Sequence, residues 1–165
     1  MSNSLRQYDM DALDRRILAA LQADGRMTNQ ELAERVHLSP SACSRRVARL
    51  EAAGVIAGYT ALLEPKAAGR GTTVFVHVTL DRQSGEDLAA FERAVADCPD
   101  VMECYLMSGD DDYLVKVAAA DLNDYERIHT QYLARMPGVA RIRSGFALRT
   151  VKKGTAFPLD QAAFS

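Results

Sequence analysis

No apolar run in the 165-residue sequence approaches the ~20 residues that a membrane-spanning helix requires, so a spanning helix and a membrane partner are excluded. The opening stretch MSNSLRQYDMDALDRR lacks the apolar segment of a secretory signal, and export is not expected. Cysteine is scarce and odd in number: Cys43, Cys98 and Cys104 read as reduced thiols of a cytoplasmic protein, not as a disulfide framework. His37, His77 and His129 are equally scattered, and no metal-ligand spacing emerges. Also missing are paired catalytic carboxylates, a nucleophile–base motif and a phosphate loop, so neither an enzyme nor a resident cofactor is expected. A global excess of positive charge is absent too, since the net charge is −2. A surface for a polyanion must therefore be local.

What is present is distributed unevenly. Residues 1–61 carry eight Lys/Arg against seven Asp/Glu, residues 62–165 twelve against fifteen, and residues 39–50 hold three arginines and no acid. Three helices are predicted around that patch. Asp11 is a good N-cap for the first, with Leu13, Ile17 and Leu21 on one stripe before Gly25. Thr28-Asn29-Gln30-Glu31 is a capping box for the second. After His37-Leu38, Ser39-Pro40 places a cap and a first-turn proline before the third. Helix, short turn, helix behind a supporting helix is a helix-turn-helix. In the third helix Cys43, Val47 and Leu50 share the inward stripe, which makes Cys43 a core residue. The remaining faces nominate Ser39, Ser41, Ser44, Arg45, Arg46 and Arg49 for duplex DNA, with Arg46 at the margin. Arginine can bond guanine edges or phosphates, and small hydroxyl residues admit the groove without clashing. Gly54 to Tyr59 reads as a short strand or wing.

From Glu64 to Gly71 the pattern breaks, and residues 62–71 are expected to be a linker. Beyond it Val74, Val76, Val78 and Leu80 alternate with Thr73, Phe75, His77 and Thr79, the period of a strand. A helix from Ser84, a strand over 101–108, a third strand over Tyr113–Ala119, a helix capped by Asp121 and a fourth strand from Val139 to about Leu148 complete βαββαβ. Residues 72–151 thus predict a ferredoxin-like domain, and the chain as a whole an α+β protein. Such a sheet has helices on one face only. Apolar residues at both parities of the first strand require a cover for the other face, and a second copy is the simplest one. Residues 152–165 form a tail whose apolar set, Phe157, Leu159 and Phe164, either packs on a neighbour or stays loose. His77 and His129 read as packed or surface residues, and Arg141, Arg143 and Arg149 as a strand parity.

With both halves placed, the chain resembles the leucine-responsive regulator/asparagine regulator (Lrp/AsnC) family from about Leu13 to Lys152. The resemblance is carried by LDRRILAALQADGRMTNQELAERVHLSPSACSRRVARLEAAGVIAGYTALLEP, VFVHVTL, ECYLMSGDDDYLVKV and MPGVARIRSGFALRTVK. It implies a winged helix-turn-helix joined to a regulator-of-amino-acid-metabolism domain, in homodimers often assembled to octamers that bind DNA and respond to an amino acid. It also implies an effector site between C-terminal domains near Ser108, Gly109, Asp110, Asp112 and Tyr113. The chemistry of that turn agrees: a glycine-started turn exposes amides for a carboxylate, and Asp110 or Asp112 offers an anion for an ammonium. The same residues equally suit a plain hairpin turn. Two other functions share the pattern: a chromosome-organising protein that wraps DNA with little sequence preference, and a dimeric α+β enzyme using the open sheet face.

Overall fold

Helices form in the first third of the chain where side chains satisfy their orphan amides. The computed structural model describes residues 8–159; residues 1–7 and 160–165, Phe164 among them, lie outside that range. The Asp11 carboxylate accepts from the Asp14 amide at 2.8 Å and the Asp14 carboxylate from the Asp11 amide, opening α1 (Ala12–Ala23) with a capping box. Thr28 and Glu31 do the same for α2 (Asn29–Val36). The Ser39 hydroxyl accepts from the Ala42 amide, and Pro40 occupies the first turn of α3 (Pro40–Ala52). Ile17, Leu18, Leu32, Val36, Cys43 and Leu50 are buried together between the three helices. Burial pushes the Cys43 thiol above its ordinary pKa, in keeping with a core role.

The joint between α2 and α3 is tight because His37 adopts the left-handed conformation (φ 59°, ψ 48°), returning the Leu38 amide to the Ala33 carbonyl at 2.9 Å. A residue with a Cβ is strained there by ~1–2 kcal/mol. Gly54, at φ 72°, ends α3 without that strain, and the Val55 and Ile56 amides fold back to the Leu50 carbonyl. Of the short strand or wing expected over Gly54 to Tyr59, the strand does not form: the segment has no ladder, and Val55 and Ile56 pack on the helical core. The tail returns to this same unit. Gln22 brackets the Phe157 backbone, its amide donating to the carbonyl at 3.1 Å and its oxygen accepting from the N–H at 2.6 Å, while Leu159 packs against the core.

Residues 62–151 make a second unit around one sheet. Its elements are β1 (Thr72–Leu80), α4 (Gly85–Ala96), β2 (Val101–Leu106), β3 (Tyr113–Ala119), α5 (Leu122–Gln131), a short 3-10 turn (Leu133–Arg135) and β4 (Val139–Phe146). All pairings are antiparallel, in the order β2-β3-β1-β4, the ferredoxin-like arrangement. Val76 faces Val115 on one side and Ser144 on the other. That parity carries Val74, Val76, Val78, Val115 and Val117 under Phe91 and Val95 of α4 and Tyr125 and Ile128 of α5. Leu122 stands exposed at the start of α5. The opposite parity presents Phe75, His77, Leu114 and Lys116, and Phe75 keeps 40% of its surface exposed. The end of the expected linker is pinned to this unit: Arg70 bridges Asp100 at 2.9 Å and Asp124 at 3.1 Å, and Arg127 closes the same cluster.

Candidate nucleic-acid helix and ligand turn

Six residues of α3 and its cap were nominated from the sequence, and the structure gives them different tasks. Ser39 is the N-cap, its hydroxyl within 3.3 Å of Ser41 as well as the Ala42 amide. Ser41, Ser44 and Arg45 are exposed, and Arg45 has no partner among the described residues. Asn29 donates to the Pro40 carbonyl at 2.9 Å, fixing the start of α2 to the first turn of α3. Leu38, Ala42, Arg45, Arg46 and Arg49 line one shallow concavity.

Arg46 is turned toward α1. Its guanidinium reaches inward to Asp11 and Asp14, each at 2.7 Å, with 22% of the side chain exposed and Asp14 only 1%. Both contacts are charge-assisted hydrogen bonds, one to a buried carboxylate and one to a half-exposed carboxylate. Arg46 therefore joins α3 to the start of α1. The Asp14 amide and then Arg46 hold the Asp11 carboxyl below its ordinary pKa despite some burial. Arg49 is also engaged, but at the surface: it donates to the Tyr8 hydroxyl at 3.0 Å and lies 5.7 Å from the centre of its ring. The Tyr8 hydroxyl donates in turn to Asp14 at 3.2 Å. Asp14 and Tyr8 were missed from the sequence. The spacing Asp11-x-x-Asp14 is a capping-box pattern that could have revealed Asp14; Tyr8 lies before the helix and gives no periodic signal.

The turn between β2 and β3 is closed by the Met107 amide on the Asp112 carbonyl, 2.8 Å, with Gly109 at φ 142°. Its three aspartates diverge. Asp110 is exposed, beside exposed Ser108 and Gly109. Asp111 meets His77 Nδ1 at 3.1 Å, the Thr79 hydroxyl, Arg143 and, at 3.8 Å, Arg141, all on the open side of the sheet. Burial opposes its ionisation, but Arg143, His77 and Arg141 outweigh that and hold the carboxyl below its ordinary pKa. Arg141 and Arg143 are thus engaged with Asp111, and Arg149 lies beyond β4.

Asp112 and Tyr113 are both buried and engaged within the chain. Asp112 is 8% exposed, and its two oxygens accept at 2.7 Å from the Leu80 amide and the Gln83 side chain. The β1–β4 register slips between Thr79 and Leu80, and the Asp112 carboxylate serves the amide at that slip. Tyr113 is 1% exposed, stacked near Phe91 with its hydroxyl donating to Glu92 at 2.9 Å. Tyr113 faces inward as the first residue of β3, and Asp112, just before the strand, is drawn to the Leu80 amide and Gln83. Burial also carries the half-buried Cys104 thiol to about 11, which leaves it unreactive. Among the described residues no group of three or more His, Cys, Asp or Glu could hold a metal, and no helix is long and apolar enough to cross a membrane.

Known proteins share this arrangement along nearly the whole chain. Residues 10–57 match a model described as winged helix-turn-helix DNA-binding, and residues 73–157 one described as the Lrp/AsnC ligand binding domain. The Bkd operon transcriptional regulator of Pseudomonas aeruginosa is 43% identical over 151 residues, covering 92% of this chain and 99% of that one. The leucine-responsive regulatory protein of Escherichia coli K12 is 43% identical over 145 residues, 88% of each chain. A Neisseria meningitidis transcriptional regulator solved in complex with L-methionine superposes with a TM-score of 0.88 at 36% identity, covering 93% of this chain and 99% of that one. A helix-turn-helix with a locked α2–α3 joint, a ferredoxin-like ligand domain and relatives of this closeness lead to one assignment: the chain belongs to the Lrp/AsnC family of transcriptional regulators.

Proposed function

We propose that residues 1–61 read duplex DNA through Ser41, Ser44, Arg45 and Arg49, and that residues 72–151 bind an amino acid and pair subunits, with 62–71 as the connection. The observation that carries the DNA assignment is Arg45: an exposed arginine without a partner among the described residues, following exposed Ser41 and Ser44, on a helix whose other charged residues are engaged. Arg45 is then the base-edge reader, and Arg49, held at the margin, a phosphate contact. An operator selected by the protein from a randomised duplex pool provides the test. Arg45→Ala should weaken it by about 1–3 kcal/mol and relax one position, whereas Arg49→Ala should lower the salt slope by about one. Equal loss on specific and random DNA in the Arg45 variant would contradict the assignment.

For the effector we propose Ser108, Gly109 and Asp110. Support comes from the exposed glycine turn, from the one aspartate there without a partner among the described residues, and from the L-methionine bound by the Neisseria neighbour. The ammonium of an amino acid would pair with Asp110 and its carboxylate with the turn amides. Calorimetry with a panel of amino acids, on the full chain and on Asp110→Ala, checks this; equal binding by both would remove Asp110. The open sheet face, with Phe75, Leu114 and exposed Tyr105, supports a homodimer. Exposed Met102 and Leu106 on β2, and Met107 just after it, support further assembly toward an octamer. A monomer in sedimentation at micromolar concentration would refute the pairing. The working compartment we propose is the cytoplasm, where duplex DNA and free thiols coexist.

A further inference from the structure

We infer that Tyr8 is a positioning residue for DNA reading: its hydroxyl, oriented by buried Asp14, presets the Arg49 guanidinium for a phosphate. The inference rests on the proposed role of Arg49. A phenol has one proton to give, and here it is given to Asp14 Oδ2 at 3.2 Å. The hydroxyl oxygen is then left as an acceptor, and Arg49 Nη2 donates to it at 3.0 Å. Asp14 itself cannot wander. Its carboxylate is 1% exposed, held by Arg46 Nη1 at 2.7 Å and tied back to the Asp11 amide. The series Arg46–Asp14–Tyr8–Arg49 thus runs from a buried ion pair to a surface guanidinium, and the ring of Tyr8 supports that guanidinium from beneath at 5.7 Å.

Only one of the five guanidinium donors of Arg49 is used by Tyr8, so donors remain for a phosphate oxygen. Arginine on a free helix face surrenders rotamer freedom when it binds; one already fixed has lost that freedom on folding. Arg45, on the same helix, has no such support among the described residues, and the contrast sets a preformed contact beside an adaptable one.

The test is Tyr8→Phe, which keeps the ring and its packing and removes only the hydroxyl. Operator affinity of the full chain is measured as a function of salt for wild type, Tyr8→Phe, Arg49→Ala and the double variant, with thermal melting of each. Tyr8→Phe should weaken binding about two- to tenfold, the cost of ordering one long side chain, with the salt slope unchanged because the charge remains. Arg49→Ala should lose about one unit of slope. In the Arg49→Ala background, Tyr8→Phe should add nothing, since the hydroxyl acts through that guanidinium. An equal effect of Tyr8→Phe in both backgrounds, or full affinity in Tyr8→Phe, overturns the positioning role while leaving the Arg49 contact standing. Unchanged affinity and slope in Arg49→Ala overturns the Arg49 reading, and the role of Tyr8 with it.

Discussion

Two clusters of like charge, three arginines on α3 and three consecutive aspartates on the β2–β3 turn, are resolved by the fold in the same way. In each, one side chain is drawn inward to hold the structure: Arg46 onto Asp11 and Asp14, Asp112 onto the Leu80 amide and Gln83. In each, a second is engaged at the surface: Arg49 on Tyr8, Asp111 among His77, Arg141 and Arg143. In each, a third, Arg45 or Asp110, has no partner among the described residues. The clusters differ in what sets the division. On the helix, 3.6-residue periodicity rotates neighbours by 100°, so 45 and 46 fall on different faces. On the turn, inward and outward directions depend on a register slip in a neighbouring strand, which no local pattern reveals.

The comparison breaks most sharply at the inward members. Asp14→Ala should cost about 2–3 kcal/mol of stability in urea unfolding, because it removes one of the two carboxylates on the partly buried Arg46 guanidinium. A loss under 1 kcal/mol would mean that the ion pair is solvated and that Arg46 is free after all. Asp112→Ala should cost about 1–3 kcal/mol by stranding the Leu80 amide, whereas Asp110→Ala should stay within about 0.5 kcal/mol and act on ligand response alone. Reversed stabilities would exchange the roles given to the two aspartates. A smaller effect is expected from the tail: removing residues from Ala156 onward loses the Gln22 bracket and the Leu159 contact, worth about 1 kcal/mol of melting stability in the helical unit. The pH dependence of the Asp11 cap follows its lowered pKa. Its contribution is fully present above the ordinary value of 3.8 and is lost as pH falls through the lower folded value, so acid unfolding of wild type and Asp11→Ala should converge below that window.

Much of this was legible from residue order. Caps at Asp11, Thr28, Ser39, Ser84 and Asp121 mark helix starts, and the alternation from Val74 to Leu80 marks the first strand, because both are local rules with strong periods. No strand forms at the wing. Gly54-Val55-Ile56 has the composition of a strand, but its amides find a closer partner in the Leu50 carbonyl. The partners of Arg46 and Asp112 lie about thirty residues away in the chain, where charge spacing along one element carries no information. Tyr113 meets Glu92 across 21 residues and is equally illegible from local pattern.

The central claim is that Arg45 alone of the three arginines reads sequence. The most direct measurement is the ratio of operator to random-duplex affinity at one fixed salt concentration, for wild type and for Arg45→Ala. Loss of a base-edge contact should lower that ratio about tenfold while random-duplex binding falls only by its one charge. A ratio equal to that of wild type would contradict the claim and leave α3 with phosphate contacts only.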